Sequence, residues 1–209
     1  MIKNIYQNLK KKYNSYKKEQ NELILKKHFD NIKKTSIDTT KFTDKKYSST
    51  YGELTLNGYN ELRNHFPNTK SKNNFMDLGS GNGKVPIMVS FEDNFHLSDG
   101  VELSTERYNI AKNLKNKVMK NSNKIHYYNK DLFDINLQKY NVIYTSNLCF
   151  NDQTNLKIAE KLSKELNDGS YIFSSKPLNH KKLKFQKQIK VEMTWNKNHL
   201  LHMYIVSSG

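Results

Sequence analysis

A run of glycines that follows a short apolar segment is the part of this chain best suited to bind a small molecule. Residues 77–84 read Asp-Leu-Gly-Ser-Gly-Asn-Gly-Lys. The preceding residues 74–76 predict the end of a strand, and residues 85–89 predict the first turns of a buried helix. Glycine permits positive φ and a close approach of the backbone to a ligand, and a helix start offers unpaired N–H groups. The sequence therefore predicts the strand, turn and helix of a nucleotide-binding α/β sheet.

The carboxylate at the head of this run separates it from a dinucleotide-binding turn. The spacing is Asp-x-Gly-x-Gly-x-Gly, whereas dinucleotide binders use Gly-x-Gly-x-x-Gly. A leading carboxylate suits a ligand that carries an ammonium group and no phosphate. S-adenosylmethionine, with its amino-acid end, sulfonium and adenosine, is such a ligand. We therefore predict it as the cofactor, with Asp77, Gly79 and Gly81 in its binding site, although a structural turn can also use glycine.

Two further acids lie where the next strands are predicted to end. In an open α/β sheet, a carboxylate at the end of the second strand reaches the ribose hydroxyls of the ligand, and Glu102 has this position. Asp131 ends the third strand and is predicted to accept the adenine amino group, while Leu132 or Phe133 packs on the ring. The alternative, that these are ordinary acids of turns and helix starts, stays open for both.

The loop after the fourth predicted strand carries the candidate catalytic residues Ser146, Asn147 and Phe150. An aromatic ring beside a sulfonium gives cation–π attraction of ~0.5–2 kcal/mol, and an amide oxygen can orient an amine nucleophile. Enzymes that methylate the exocyclic amine of adenine usually have Asn or Asp followed by Pro-Pro-aromatic at this place. The absence of proline here argues against that chemistry.

An alternation of strands and helices must position these residues. Strands are predicted at 74–78, 96–102, 125–129, 141–146, 170–174, 188–195 and 200–206, and helices at 56–66, 85–91, 105–120 and 153–166. Five strands that alternate with helices indicate a mostly parallel sheet. The last two strands form a hairpin with a predicted turn at 196–198. We therefore predict an α/β protein with the Rossmann-like class I methyltransferase fold and a mostly parallel, seven-stranded sheet.

The composition limits the other possibilities. The chain has 209 residues, a formal net charge of +15 and a single cysteine, Cys149. One cysteine excludes an internal disulfide framework and a cysteine-built metal site, so we predict no metal and a buried, apolar role for Cys149. No apolar run approaches the ~20 residues that span a membrane, and the N-terminus lacks a hydrophobic signal core. We expect an intracellular protein without a membrane partner.

The N-terminal part is predicted to be a separate, basic segment. Apolar residues recur at three- and four-residue spacing over residues 1–34, with lysine pairs and triplets between them. This pattern predicts a helix, in an arm and linker at 1–46 that precede a methyltransferase domain at 47–209. Such a lysine-rich helix favours contact with DNA or RNA, but a solvated helix face would give the same pattern.

Several short segments occur in the order of a known family. They are Tyr51-Gly52-Glu53, Asp77-Leu78-Gly79-Ser80-Gly81, Gly100-Val101-Glu102, Asp131-Leu132-Phe133, Asn147 with Phe150, and Ser174-Ser175-Lys176-Pro177. Over about residues 48–207 the chain resembles the disruptor-of-telomeric-silencing family, the non-SET histone lysine methyltransferases. The resemblance implies S-adenosylmethionine as the donor, a lysine on the nucleosome as the acceptor, and a nuclear or other chromatin-containing compartment.

The same resemblance implies roles for further residues. Tyr51 and Glu53 are expected to close over the cofactor, and Lys84 stands where some members have a cofactor-binding Gln. Ser146 replaces the first of two family asparagines at the catalytic position.

A lysine acceptor must also lose its proton, and an apolar channel promotes this by lowering the amine pKa. The channel is expected to be lined by Leu148, Trp195 and His199.

Three functions remain open on these residues. The leading hypothesis is a histone lysine methyltransferase. The second is a lysine methyltransferase of a non-histone basic protein. The third is a nucleic-acid methyltransferase or a weakly catalytic binding module, which the charge of +15 favours.

Overall fold

The computed structural model describes residues 2–29, 52–69 and 71–208. The chain divides into two compact units, residues 1–35 and 36–209. The first contains helix α1, Ile2–Phe29, whose last turn carries Lys26, Lys27 and His28. Cations are favourable at this end of a helix dipole. The predicted N-terminal helix is therefore present to residue 29, whereas its predicted end at 34 and the predicted domain boundary at 46 lie outside the described residues.

The second unit contains a seven-stranded sheet with the order β3-β2-β1-β4-β5-β7-β6. Its strands are β1 Asn73–Leu78, β2 Phe95–Val101, β3 Tyr127–Tyr128, β4 Val142–Thr145, β5 Tyr171–Ser174, β6 Leu183–Met193 and β7 Asn196–Val206. Its helices are α2 Leu56–Arg63, α3 Lys84–Ser90, α4 Thr105–Val118 and α5 Asp152–Glu165. No described helix combines the length and the apolar character that a membrane-spanning segment needs.

The pairing of the strands confirms the predicted α/β fold. Strands β1 to β5 pair in parallel, and β7 pairs antiparallel with both β5 and β6. The strand order reverses between β1 and β4, and ligands of open α/β sheets bind at the carboxyl ends of the strands at such a point. The glycine run follows β1, so it lies at this crevice.

Three predicted details of the sheet are wrong. Strand β6 begins at Leu183, five residues before the predicted start at 188, because Leu183 and Lys184 already pair with Val206 and Ile205 of β7. Strand β3 is shorter than the predicted 125–129, because it is an edge strand whose pairing with β2 is limited to Tyr127 and Tyr128. The predicted turn at 196–198 belongs instead to β7. The chain turns at Thr194 and Trp195, and Met193 pairs directly with Asn196.

The central strand β1 is buried on both faces, as parallel strands usually are. Phe75 faces an aromatic group in which its ring centroid lies 6.2 Å from Phe66 and 6.3 Å from Phe95. The next residue, Met76, points to the opposite face and joins the apolar cluster that contains Ile158 and Leu162 of α5. Burial of such side chains contributes about 1.5–3 kcal/mol each, so this strand is a rigid support for the turn that follows it.

The segment before α2 is attached to the far end of β6. Leu54 forms an antiparallel bridge with Met193. Thr194 N–H donates to the carbonyl of Glu53 at 2.9 Å, and Thr55 N–H donates to the carbonyl of Glu192 at 3.1 Å. Residues 53–55 therefore extend the sheet locally, and α2 then packs on β6.

Gly58 makes the close contact of α2 with β6 possible. A Cβ at this position would overlap the carbonyl oxygen of Glu192 and the side chain of Leu54. We expect Gly58→Ala to lower the free energy of unfolding by about 1–3 kcal/mol, the usual effect of overpacking, despite the better helix propensity of alanine. Denaturant unfolding measures this change. Glu61→Ala, at an exposed position of the same helix, is the control, and an equal effect of both variants would contradict the packing argument.

Candidate active site

The glycine turn is held by backbone hydrogen bonds to the neighbouring strand. Gly79 and Gly81 have φ angles of 84° and 54°, which favour glycine because other residues are strained there. The N–H groups of Gly79 and Ser80 both donate to the carbonyl of Val101 at 2.9 Å. The Tyr127 hydroxyl donates to the carbonyl of Gly83 at 2.5 Å. The glycine turn is therefore held by residues of β2 and β3, in addition to its attachment to β1.

Asp77 lies beneath this turn as a buried carboxylate. Its side chain is only 2% exposed, and its Oδ1 atom has no hydrogen-bond partner among the described residues. Burial raises the pKa of Asp77 well above its usual range, and the nearby negative charge of Glu102 raises it further. An uncompensated buried carboxylate is unfavourable. The site is thus prepared for a positively charged ligand group.

Glu102 fixes the turn through both of its carboxylate oxygens. Oε2 accepts a hydrogen bond from the Gly81 N–H at 2.9 Å, and Oε1 accepts one from the Ser104 N–H at 2.8 Å. Glu102 therefore joins the glycine turn to the start of α4. Its predicted contact with ribose stays a prediction. The hydrogen bonds to Gly81 and Ser104 do not prevent that contact, because carboxylate oxygens can accept further hydrogen bonds.

Asn129 is a supporting residue that sequence reasoning missed. Its Nδ2 donates to the carbonyls of Glu102 and Leu103, each at 3.0 Å, so it ties the loop after β2 to the loop after β3. The only signal was an amide as the last residue of a predicted strand. Nearby, Asp131 accepts a hydrogen bond from the Phe133 N–H at 3.0 Å. The adenine contacts of Asp131 and the buried Leu132 stay predictions.

The loop after β4 is organised around Asn147, which is fully buried. Its Nδ2 donates to Asn155 Oδ1 at 2.6 Å, and its Oδ1 accepts from the Lys176 N–H at 2.9 Å. Lys176 Nζ in turn donates to the carbonyl of Phe150 at 2.9 Å. These contacts favour a positioning role for Asn147, and its predicted catalytic contact with substrate stays untested.

The other residues of this loop divide between the small cavity and glycine turn on one side and the protein surface on the other. Ser146 lines a small cavity together with Asp77. The Phe150 ring approaches the glycine turn, since a Cβ on Gly79 would lie 3.7 Å from its Cζ atom. Leu148 is 36% exposed. Cys149 is exposed, so its predicted burial is wrong: it lies in a one-turn 3-10 helix of which Asn147 takes the inward position.

An ion pair crosses the same cavity. Lys84 Nζ lies 2.5 Å from Glu53 Oε2, and each side chain is 16% exposed. The structure therefore brings Glu53 and Lys84 to the cavity that Asp77 also lines, while their binding of the cofactor stays a prediction. The cavity between them measures only about 30 Å³. Tyr51, the other residue expected to close over the site, lies outside the described residues.

The hairpin turn places Trp195 and His199 together. Their ring centroids are 4.9 Å apart in an edge-to-face arrangement. Trp195 also packs against Gly52, where no Cβ would fit. His199 is buried, its Nε2 has no hydrogen-bond partner among the described residues, and its pKa is lowered by burial and by the neighbouring His202. Two of the three predicted channel residues thus lie side by side, while the channel itself and the contribution of Leu148 stay predictions.

The described residues contain no group of His, Cys, Asp and Glu side chains that could hold a metal ion. The site consists instead of a glycine turn, buried acids, one lysine and aromatic rings. Such a site can bind an organic cation and exclude water from an amine.

The sequence model of the family described as "Histone methylation protein DOT1" matches residues 34–207. The chain belongs to this family. Membership confirms the family resemblance that the motifs indicated. It confirms the predicted methyltransferase activity as well. It also confirms the leading hypothesis of a histone lysine methyltransferase and indicates a role at chromatin. Comparison with curated proteins gave no match.

Solved structures show that the fold is that of methyltransferases. An RNA methyltransferase from Salinibacter ruber is similar over 66% of this chain and 82% of its own, with a TM-score of 0.54 and 17% identity. The putative methyltransferase yhhF from Escherichia coli is similar over 74% of this chain and 88% of its own, with a TM-score of 0.57 and 13% identity. The magnesium protoporphyrin IX methyltransferase of Synechocystis PCC 6803 is similar over 66% of this chain and 71% of its own, with a TM-score of 0.52 and 13% identity.

The raised pKa of Asp77 predicts a pH-dependent effect on stability. The folded protein holds the proton of this carboxyl to higher pH than the unfolded chain does, so stability is lost as the pH rises through that interval. An amide has no such penalty. We expect Asp77→Asn to raise the melting temperature of the ligand-free protein at pH 7.5, and the gain to shrink as the pH falls toward 4.

Thermal melts of wild type and Asp77→Asn between pH 4 and pH 8 measure this difference. Asp134→Asn, at an exposed acid, is the control for the loss of one charge. A melting temperature of Asp77→Asn below that of wild type at every pH would contradict the argument.

Proposed function

We propose that this protein transfers a methyl group from S-adenosylmethionine to the side-chain amine of a histone lysine within the nucleosome. The observation that carries the proposal is the buried Asp77, whose Oδ1 has no partner among the described residues, beneath the glycine turn of a chain from the histone methylation family. A cationic ligand would relieve the unfavourable burial of this carboxylate.

The residues present fit S-adenosylmethionine. Its ammonium group suits Asp77 and Glu53, its ribose suits Glu102, and its adenine suits Asp131 and Leu132. Similar structures support the choice, since the Salinibacter ruber enzyme was solved with S-adenosyl-L-homocysteine and the Synechocystis enzyme with S-adenosylmethionine.

When bound, this cofactor supplies a methyl group on a sulfonium, with a neutral thioether as leaving group. The protein therefore has to position the acceptor and exclude water. Positioning of the two reactants contributes up to ~7–11 kcal/mol in well-oriented systems. Phe150, held by Lys176 beside the glycine turn, would stabilise the sulfonium through its ring face.

The acceptor amine must enter the site without its proton, since only a free lone pair attacks. The edge-to-face rings of Trp195 and His199, with Leu148, would desolvate the ammonium form and lower its pKa. The His199 Nε2, which has no hydrogen-bond partner among the described residues, is available to accept a proton, and burial and His202 lower the pKa of the ring, which favours its neutral form. Ser146, which lines the same small cavity as Asp77, would meet the incoming amine.

A chromatin substrate agrees with the charge of the chain. The net charge is +15, and the basic last turn of α1 would favour contact with DNA, in a nucleus or another chromatin-containing compartment. Binding through lysines should weaken steeply with salt.

Transfer of labelled methyl to nucleosomes, free histones and total RNA, measured in parallel, tests the function. We expect label on nucleosomal histone in a form that protease releases. Glu102→Ala removes the acid that holds Gly81 and should lower transfer at least a hundred-fold and weaken cofactor binding. Asp134→Ala, an exposed acid of a nearby loop, should leave both unchanged.

The other outcomes are equally informative. Label on free basic protein alone would move the acceptor away from the nucleosome, and label in RNA would replace the protein acceptor altogether. An unchanged dissociation constant for S-adenosylmethionine in both Glu102→Ala and Asp77→Ala would contradict the assigned cofactor site.

A further inference from the structure

Helix α1 carries an exposed apolar stripe that the proposed function does not use. Its large side chains Tyr13, Tyr16 and Leu23 are 65%, 62% and 54% exposed. Leu25, by contrast, is buried, and in a helix of 3.6 residues per turn it lies on the face opposite Leu23. The stripe is therefore not the face on which α1 is already covered, and a row of exposed apolar side chains marks an interaction surface.

The spacing of the stripe is that of a coiled-coil seam. Residues 13, 16, 20, 23 and 27 alternate in steps of three and four, and the same steps continue toward the N-terminus at 9, 6 and 2. In a heptad written abcdefg, positions 6, 13, 20 and 27 are a, and positions 2, 9, 16 and 23 are d. Helix α1 has 28 residues, which is four heptads. A seam of this period and length packs against another helix.

The positions beside the seam are mostly basic. Positions e and g flank a coiled-coil seam, and the charges there select the partner and its orientation. In α1 these positions hold five lysines, one glutamate and two isoleucines: Lys3, Lys10, Lys12, Lys17, Lys26, Glu19, Ile5 and Ile24. Lys12 and Lys26 are exposed. The seam is thus bordered by an excess of positive charge.

A second copy of α1 does not fit these charges. Two parallel copies would place Lys12 of one beside Lys17 of the other, and Lys27, at position a within the seam, opposite itself. Two antiparallel copies would align their e rows, in each of which three of four residues are lysines. Like charges at these positions act against self-pairing, so the charge pattern calls for a partner with acids.

We propose that α1 docks an acidic amphipathic helix of another protein. Apolar side chains of that helix would pack on Tyr13, Tyr16 and Leu23, and glutamates or aspartates would flank them opposite the lysines. An acid at the position that faces Lys27 would fix the register, as polar residues inside a seam do.

Two other kinds of partner fit the stripe less well. The phosphates of duplex DNA bind lysines, but they gain nothing from a row of exposed apolar side chains. A helix that lies in a membrane surface presents a wide apolar face, whereas Gln20 and Lys27 interrupt the narrow stripe of α1.

Binding of two synthetic peptides to the full chain tests the proposal. Both peptides have four heptads with isoleucine at a and leucine at d. One has glutamate at e, at g and opposite Lys27, and the other has lysine at these places. We expect fluorescence anisotropy to show binding of the acidic peptide at micromolar concentration, and binding of the lysine peptide at least ~10-fold weaker.

A variant within the stripe tests the apolar contact. Tyr16→Asp should weaken the acidic peptide at least ~30-fold, as the loss of a central aromatic side chain of an interface does. Ser15→Asp introduces the same charge at the adjacent exposed residue, outside the seam, and should change the affinity less than about threefold. Circular dichroism of both variants checks that α1 stays helical.

Charge reversal beside the seam tests the choice of partner. In Lys12→Glu with Lys26→Glu, the preference for the acidic peptide should shrink roughly tenfold, as expected for two reversed surface ion pairs. Lys18→Glu with Lys130→Glu changes the net charge equally at two exposed lysines away from the seam and should keep the preference.

Four results would overturn the proposal. If neither peptide binds, or if Tyr16→Asp and Ser15→Asp behave alike, the stripe is no docking surface. A dimer of the free protein in analytical ultracentrifugation that Tyr16→Asp dissociates would assign the stripe to a second copy. Binding to a DNA duplex or to phosphatidylserine vesicles that Tyr16→Asp abolishes and Ser15→Asp keeps would assign it to nucleic acid or membrane. None of these measurements uses methyl transfer, so their outcome is independent of the proposed function.

Discussion

The burial of Asp77 is the constraint on which the rest of the site depends. A carboxylate at the end of a central strand, flanked by β2 and β4, cannot turn toward water without breaking the strand. A basic residue at position 102 would relieve such a charge, but Glu102 is a second acid, and its carboxylate holds Gly81. The fold thus stabilises a local arrangement that is electrostatically unfavourable alone, and the apolar layers around Phe75 and Met76 offset its cost. Sites that bind cations commonly show such perturbed acids.

The antiparallel hairpin gives the parallel sheet a second set of site residues. Strand β7 runs against β5, so its N-terminal end projects past the carboxyl edge at which the glycine turn lies. The turn at Thr194 and Trp195 therefore reaches the segment before α2 and holds Glu53 through two hydrogen bonds. One element orders both the acid at the cofactor site and the ring of the predicted lysine channel. A change in the hairpin should accordingly affect both binding steps together.

Local signals predicted the parts of this structure that local physics determines. The glycine turn, the alternation of strands and helices, and the acids at strand ends were all visible as spacing and periodicity. The hairpin turn was not, because Asn196, Lys197 and Asn198 are good turn residues, while the actual turn is set by pairing of Met193 with Leu54, far away in sequence. The same holds for the Glu53–Lys84 pair and the Asn129 bridges, whose partners meet only through the fold.

The loop after β4 explains how serine can replace asparagine at position 146. The loop is held by Asn147 through Asn155 and the backbone of Lys176, and none of these contacts uses the side chain of Ser146. These contacts therefore do not require asparagine at position 146. The replacement changes only the groups that face the cavity, where a hydroxyl offers one donor and an amide offers two. Under the proposed function, orientation of the amine would then depend more on the surrounding rings of Phe150 and Trp195.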